Sequence, residues 1–239
     1  MMENDLHLTQ HISKRFNEEL EEVRSQVLKM GGLVEQQVND GLEALMQSDF
    51  TLAKKVVNGD VEVNSLEVNI DESCTQIIAR RQPAASDLRL MVSIIKTITD
   101  LERIGDEAVK LGKNTLKLPE ESKVARQYVE LKHLGEHVLK TLNNALTAYA
   151  RLDVQAAIEI IDNDKAIDEE FDAISRLLIT RMMEDPREIK NSLRISWCAR
   201  ALERIGDHTK NICEYIVYLV KGKDVRHTSL EEVKRQIQE

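Results

Sequence analysis

The stretch Leu101-Glu102-Arg103-Ile104-Gly105-Asp106 recurs, residue for residue, as Leu202-Glu203-Arg204-Ile205-Gly206-Asp207. Six identical residues at an offset of 101 in a chain of 239 mark a duplicated unit about half the chain long. Leading into the first copy, Leu88, Met91, Val92, Ile95, Ile98, Leu101 and Ile104 keep the three-and-four spacing of an amphipathic helix. Val63, Leu66, Ile70, Cys74, Ile77 and Ile78 do the same before Pro83. Each copy also sets a Glu and an Asp four residues apart, which on a helix places both carboxylates on one stripe. Like charges so arranged repel by roughly 0.2–0.5 kcal/mol. Meeting that cost twice, at matched positions, points to a cation.

Working outward, the pattern predicts six long helices over about 6–48, 51–82, 84–116, 120–150, 153–184 and 187–221, with Pro83, Pro119 and Pro186 at boundaries. Asp49 and Asp153 stand where N-caps belong. Gly31-Gly32 is a place for the first helix to bend or break, since each interior Gly costs about 1 kcal/mol against Ala. Connections of a few residues make successive helices antiparallel. The expectation is an all-α fold of two tandem antiparallel three-helix bundles, divided as 1–117 and 118–222, with a charged tail over 223–239. Leu, Ile, Val and Ala dominate the apolar residues and aromatics are only 3%, a profile suited to helices.

The internal register is ambiguous. Glu35 with Glu136 and Leu33 with Leu134 keep the offset of 101, whereas Asp49 and Asp60 match Asp153 and Asp164 at 104. An extra three residues in one half, compensated near 184–187, accounts for both.

A net charge of −9 opposes approach to nucleic acid or anionic lipid. No apolar run reaches membrane-helix length, and the acidic N-terminus lacks a signal-peptide core, so the expected location is the cytoplasm. Cys74, Cys198 and Cys213 form no CxxC pattern and read as buried small hydrophobes.

Besides Glu102–Asp106 and Glu203–Asp207, Glu67 with Asp71 and Asp168 with Asp172 are four-spaced and again offset by 101. Two antiparallel helices bring such pairs together, giving an oxygen-rich patch per half suited to magnesium, calcium or manganese, with iron or zinc also open. Glu102 and Asp106 share their stripe with Ile95, Ile98 and Val109 and so are expected to face away from open solvent. The alternatives are solvated acids, or ion pairs with Arg103, Arg204 or a neighbouring helix. Gly105 and Gly206 read as sites of close helix approach or as room beside an ion. His133-Leu134-Gly135-Glu136-His137 has inverted zinc-peptidase spacing but no third ligand and no counterpart in the other half, so solvent-facing histidines are expected. Arg80, Arg81 and Arg89 read as intramolecular partners. Without a nucleotide loop or nucleophile elbow, the chemistry looks like binding and not catalysis.

The duplicated L-E-R-I-G-D, Arg80-Arg81-Gln82-Pro83 followed by Asp87-Leu88-Arg89, and Gly206-Asp207-His208 with Asn211-Ile212 together resemble the PhoU family of phosphate-uptake regulators over nearly the whole chain. The resemblance implies two bundles related by pseudo-two-fold symmetry, frequently a homodimer, and multinuclear metal sites on the four-spaced acidic motifs. These fall on Glu102, Asp106, Glu203 and Asp207, with Glu67, Asp71, Asp168 and Asp172 as partners. It further implies a cytoplasmic negative regulator of phosphate uptake, an adaptor between the phosphate transporter ATPase subunit and the PhoR sensor histidine kinase. The alternative is a metal-dependent enzyme or iron-handling bundle. Lys110, where the second copy has Asn211, is expected to repel a cation, leaving the second-half site at least as tight as the first.

Overall fold

A computed structural model describes residues 14–118, 128–226, 228 and 232. Within them the elements are α1 (Lys14–Gln47), α2 (Phe50–Arg81), α3 (Ser86–Thr115), α4 (Val129–Arg151), α5 (Val154–Glu184) and α6 (Ile189–Lys221), with no strand among the described residues. The expected helix starts at 6 and 120 and most of the tail over 223–239 lie outside those residues.

Asp49 caps α2 by accepting from the Thr51 and Leu52 amides, and Asp153 caps α5 by accepting from Ala156 N. Ser48 and Leu152, just before these caps, both adopt positive φ, which turns the chain sharply enough for two-residue connections. Helix α3 begins later than Pro83 suggests, because Gln82 and Ala85 on either side of the proline also have positive φ and keep the segment out of the helix. Pro186 opens a single 3-10 turn, Pro186–Glu188, before α6.

Helix α1 runs unbroken through Gly31-Gly32, contrary to the expected weak point. The cause is tertiary. A Cβ on Gly31 would lie 2.7 Å from Leu146 Cδ2, and a Cβ on Gly135 would lie 2.4 Å from Leu42 Cδ1. Each glycine admits a leucine of the opposite half, so the two helices pack without kinking. These reciprocal contacts also set the register, since Gly31 and Gly135, like Leu42 and Leu146, differ by 104. The offset of 101 read from Leu33/Leu134 and Glu35/Glu136 is therefore not the structural one for α1 and α4.

In each half the third helix is the centre: α1 and α2 pack on α3, and α4 and α5 on α6. Between halves, α3 lies against α6 and α1 against α4, giving two tandem three-helix bundles with pseudo-two-fold pairing. Met91, Ile94, Ile98, Leu101, Ile104 and Leu111 form the fully buried stripe of α3, and Ile195, Cys198, Leu202, Ile205 and Ile212 that of α6. All three cysteines are buried, and burial pushes the Cys74 and Cys198 thiols up to about 12. Among the described residues no helix is long and apolar enough to cross a membrane.

Candidate metal centre

The duplicated glycines fix how the acidic motifs face each other. A Cβ on Gly105 would lie 3.5 Å from Val63 Cγ1, and one on Gly206 would lie 3.1 Å from Ile167 Cδ1. Val63 and Ile167 differ by 104, while Gly105 and Gly206 differ by 101, so the first two helices of each half follow one offset and the third helix the other. The difference of three is absorbed between α5 and α6. The structural counterpart of Asp168 is therefore Asn64, that of Asp164 is Asp60, and Glu67 stands where the second half has Phe171. The 101-offset pairing of Glu67–Asp71 with Asp168–Asp172 does not describe the geometry.

In the second half, Asp168, Glu203 and Asp207 each offer an oxygen within 4.8 Å of the other two. Among the described residues no other three His, Cys, Asp or Glu groups converge so closely. Glu203 is buried, and its Oε2 has no hydrogen-bond partner; its Oε1 accepts from Arg200 Nη1 at 2.7 Å. Asp172, one turn further along α5, is not part of this triad. Asp164, one turn earlier, accepts from Lys210 Nζ at 2.6 Å. Asp168 and Asp207 are exposed, and so is Asp106, which corrects the expectation that Asp106 turns away from open solvent; Glu102 is half-buried.

The electrostatics are those of crowded acids. Burial, and then Asp207, hold the Glu203 carboxyl above its usual range. Burial followed by Asp164 and Asp168 does the same for Asp207, and burial with Asp164 for Asp168. A divalent cation would relieve both causes, and three carboxylates with an unsatisfied lone pair are the donor set that hard cations take. The residues fit such an ion.

In the first half, burial with Asp106, Glu67 and Asp60 raises Glu102, and burial with Asp71 raises Glu67, so these acids sense one another without closing into a triad. Lys110, expected to repel a cation, places Nζ 2.8 Å from Glu107 Oε1 and is occupied there. Glu107 also takes Arg204 at 3.0 Å, so that arginine serves a buried acid of the other half. Arg103 is the cation acting on Glu102 and Glu67 in the first half, whereas the second half adds Arg200 and Lys210 at positions where the first has Thr99 and Val109.

Asp60 and Asp164 act on these acids although the four-spaced acidic motifs do not include them. The match of Asp60 with Asp164 at an offset of 104 was the signal for both. The histidine pair does not form a metal centre. His133 is exposed, while His137 is half-buried with Nδ1 2.9 Å from Glu170 Oε1, so only His133 faces solvent as expected. Arg81 grips Glu19 with two hydrogen bonds of 2.9 and 2.7 Å, an intramolecular role.

The family model for the PhoU domain matches residues 27–115 and 131–216, one copy per bundle. The chain belongs to the PhoU family. It is 52% identical over 237 residues to the phosphate-specific transport system accessory protein PhoU homolog of Pseudomonas putida, covering 99% of this chain and 93% of that protein. It is 48% identical to the phosphate-specific transport system accessory protein PhoU of Escherichia coli K12, covering 96% of this chain and 95% of that one. The fold superimposes on the crystal structure of PhoU from Pseudomonas aeruginosa with a TM-score of 0.84 at 52% identity, over 87% of this chain and all of that one. The phosphate transport system regulatory protein PhoU from Streptococcus pneumoniae aligns with a TM-score of 0.81 at 33% identity, over 88% of this chain and 99% of that one. PhoU-domain boundaries thus enclose both acidic motifs, and each stands on the central helix of its bundle.

Proposed function

We propose that this chain is an accessory protein of phosphate-specific transport that restrains uptake and starvation signalling when phosphate is plentiful. It would do so in the cytoplasm as an adaptor, frequently dimeric, between the transporter ATPase subunit and the PhoR sensor histidine kinase. The observation that carries this reading is identity near one half, over almost the full length, to proteins named for accessory work in phosphate transport. The architecture suits the role. Two rigid bundles joined by helix packing offer long helical faces, and the polar groups they present are suited to binding.

The acidic motifs are proposed as cation sites that brace the bundles. Asp168, Glu203 and Asp207 hold one ion, Glu102 and Asp106 contribute to another, and Glu67, Asp71 and Asp172 lie along the rims. Bound there, magnesium, manganese, iron or zinc supplies positive charge among carboxylates that otherwise repel. The chain's own groups then set the strength of the site: Arg200 orients and partly neutralises Glu203, and Lys210 draws Asp164 aside.

A second reading, a carboxylate-cluster enzyme or iron-handling bundle, draws on the same convergence of Asp168, Glu203 and Asp207. It requires an open coordination position and a group poised for proton transfer. Deletion of the gene in its own host separates the two. The adaptor reading expects starvation output to persist in phosphate-rich medium and to be silenced again by the intact chain; normal silencing in the deletion strain would reject it.

A further inference from the structure

Ten large apolar side chains are exposed among the described residues, and five of them crowd the hairpin that joins α5 to α6. Ile179 and Met183, 55% and 79% exposed, stand one turn apart on α5. Ile189, Leu193 and Trp197 follow one another at single turns on α6, and the tryptophan is 53% exposed. Helical geometry puts both rows on the open face of the hairpin. Ile179 lies eleven residues, about three turns, after Asp168, and Ile189 lies eighteen, about five turns, before Asp207, so both share the stripes on which those acids converge. The fold itself does not require these residues. By the offsets that relate the bundles, the first hairpin has Thr75, Ala79 and Val92 in place of Ile179, Met183 and Leu193. Lys96 replaces Trp197, and its ammonium lies 5.5 and 5.4 Å from the ring centres of Tyr215 and Tyr218; only Leu88, which matches Ile189, is apolar and exposed as well. A contiguous apolar patch that its own bundle leaves uncovered marks a binding surface.

We infer that this face docks an acidic, amphipathic helical segment of a partner protein, whose apolar side chains seat between the α5 and α6 rows. Charge selects the occupant. From Arg176 to Arg200 six basic side chains stand against three acidic ones, in a chain whose net charge is −9. Arg176 stands seven residues, about two turns, before Met183, and Lys190 the same distance before Trp197, so each apolar row carries a cation on its own stripe. Both cations are exposed and neither forms an ion pair with a described residue. Apolar rows bordered by such cations suit a helix with apolar anchors at i, i+4 and i+7 and carboxylates along its edges. A second copy of this chain fits less well, because two-fold pairing sets the patch against itself and brings its positive charge against the same charge. The net charge of the whole chain disfavours an anionic membrane. Trp197 supplies the large anchor that dominates interfaces of this kind. The inference stands apart from the cation and adaptor readings, neither of which uses these side chains.

The test uses Trp197, the one tryptophan of the chain, as the reporter. The intact chain is titrated with a synthetic helical peptide of about 20 residues built from Glu, Ala and Leu, its leucines at i, i+4, i+7 and i+11, and with the same peptide carrying Lys for Glu. The Glu peptide should move the emission to shorter wavelength, saturably, and bind at least about tenfold more tightly than the Lys peptide. Ile179→Ser, Met183→Ser and Leu193→Ser should each weaken the Glu peptide by roughly tenfold, the scale of one apolar side chain buried on binding. Their melting temperatures should hold, because the three side chains are exposed. Arg176→Glu combined with Lys190→Glu should reverse the preference between the peptides. No emission shift with the Glu peptide, equal binding of the two peptides, or parental binding by all three serine variants would overturn the inference. A shift that follows the concentration of the chain alone would overturn it in favour of a second copy, and one produced only by phosphatidylglycerol vesicles in favour of a membrane. Silencing of starvation output in the host is measured separately, so failure here is distinct from failure of the adaptor reading.

Discussion

His208 Nδ1 lies 2.7 Å from Asp100 Oδ1 across the junction of α3 and α6. The same buried carboxylate accepts from Asn211 Nδ2 at 3.1 Å and, through Oδ2, from Tyr215 O–H at 2.8 Å. One acid of the first bundle thus gathers three side chains of the second. At an offset of 101, Asp100 is matched by Ala201, so this polar clamp between the halves is one-sided.

Asp100→Ala should therefore loosen the junction more than a surface change would. Tyr215→Phe alone should cost about 1.5–3 kcal/mol, the range for a hydrogen bond to a charged group. Asp100→Ala should cost at least as much, because three polar groups lose their acceptor. Urea unfolding of the two variants measures both. A loss under 0.5 kcal/mol for Asp100→Ala, roughly the surface-substitution range, would show that the clamp does not hold the halves together.

Two glycines in α1 and α4 should respond to alanine in opposite directions. Gly32 is exposed with nothing within 4 Å of a Cβ, so Gly32→Ala should stabilise by about 0.5–1 kcal/mol through helix propensity. Gly135→Ala drives a methyl to 2.4 Å from Leu42 and should destabilise by about 1–3 kcal/mol, as overpacking does. Thermal melts of the pair decide it; equal effects would contradict the inter-bundle register.

Glu203, Asp207 and Asp168 are held above the usual carboxylate range by burial and mutual repulsion. A carboxyl with a raised native pKa binds more protons folded than unfolded. Its ionisation therefore removes stability as pH climbs from the ordinary range near about 4 through the raised value, and acidification restores it. In metal-free protein, Glu203→Gln should gain on the parent as pH rises from about 4 through the raised value. Added Mn2+ should raise the parent's melting temperature more at the higher pH, where protons no longer compete. A difference between parent and variant that ignores pH would contradict the crowding.

Arg200 and Lys210 occupy Glu203 and Asp164, in competition with an ion. Arg200→Ala and Lys210→Ala should each tighten Mn2+ binding at the second-half site, by a factor of a few given the modest strength of half-exposed pairs. Isothermal titration reads this directly, and unchanged or weaker affinity would make these side chains supports of the site.

The helices were legible because their apolar spacing is unbroken over many turns, and the tandem plan because Leu101–Asp106 and Leu202–Asp207 are identical. The relative register was not, because two offsets coexist. The hexapeptide keeps 101, while the caps Asp49 and Asp153 and the packing pairs Gly31–Leu146 and Gly135–Leu42 obey 104. Choosing between them for the acids required knowing that Val63 and Ile167 seat on the duplicated glycines. Gly31 misled for a related reason: its cost to α1 is local, and the leucine it admits belongs to the other bundle.

In the proposed role this protein couples transporter and kinase. The most direct test is a pull-down of the transporter ATPase subunit and the PhoR cytoplasmic region, with metal analysis. It compares the intact chain with one in which Glu102, Asp106, Glu203 and Asp207 are changed to amides. The intact chain should capture both partners and carry metal, while the variant should lose the metal and bind weakly. Metal retained by the intact chain with neither partner captured would contradict the adaptor role and leave a metalloprotein in its place.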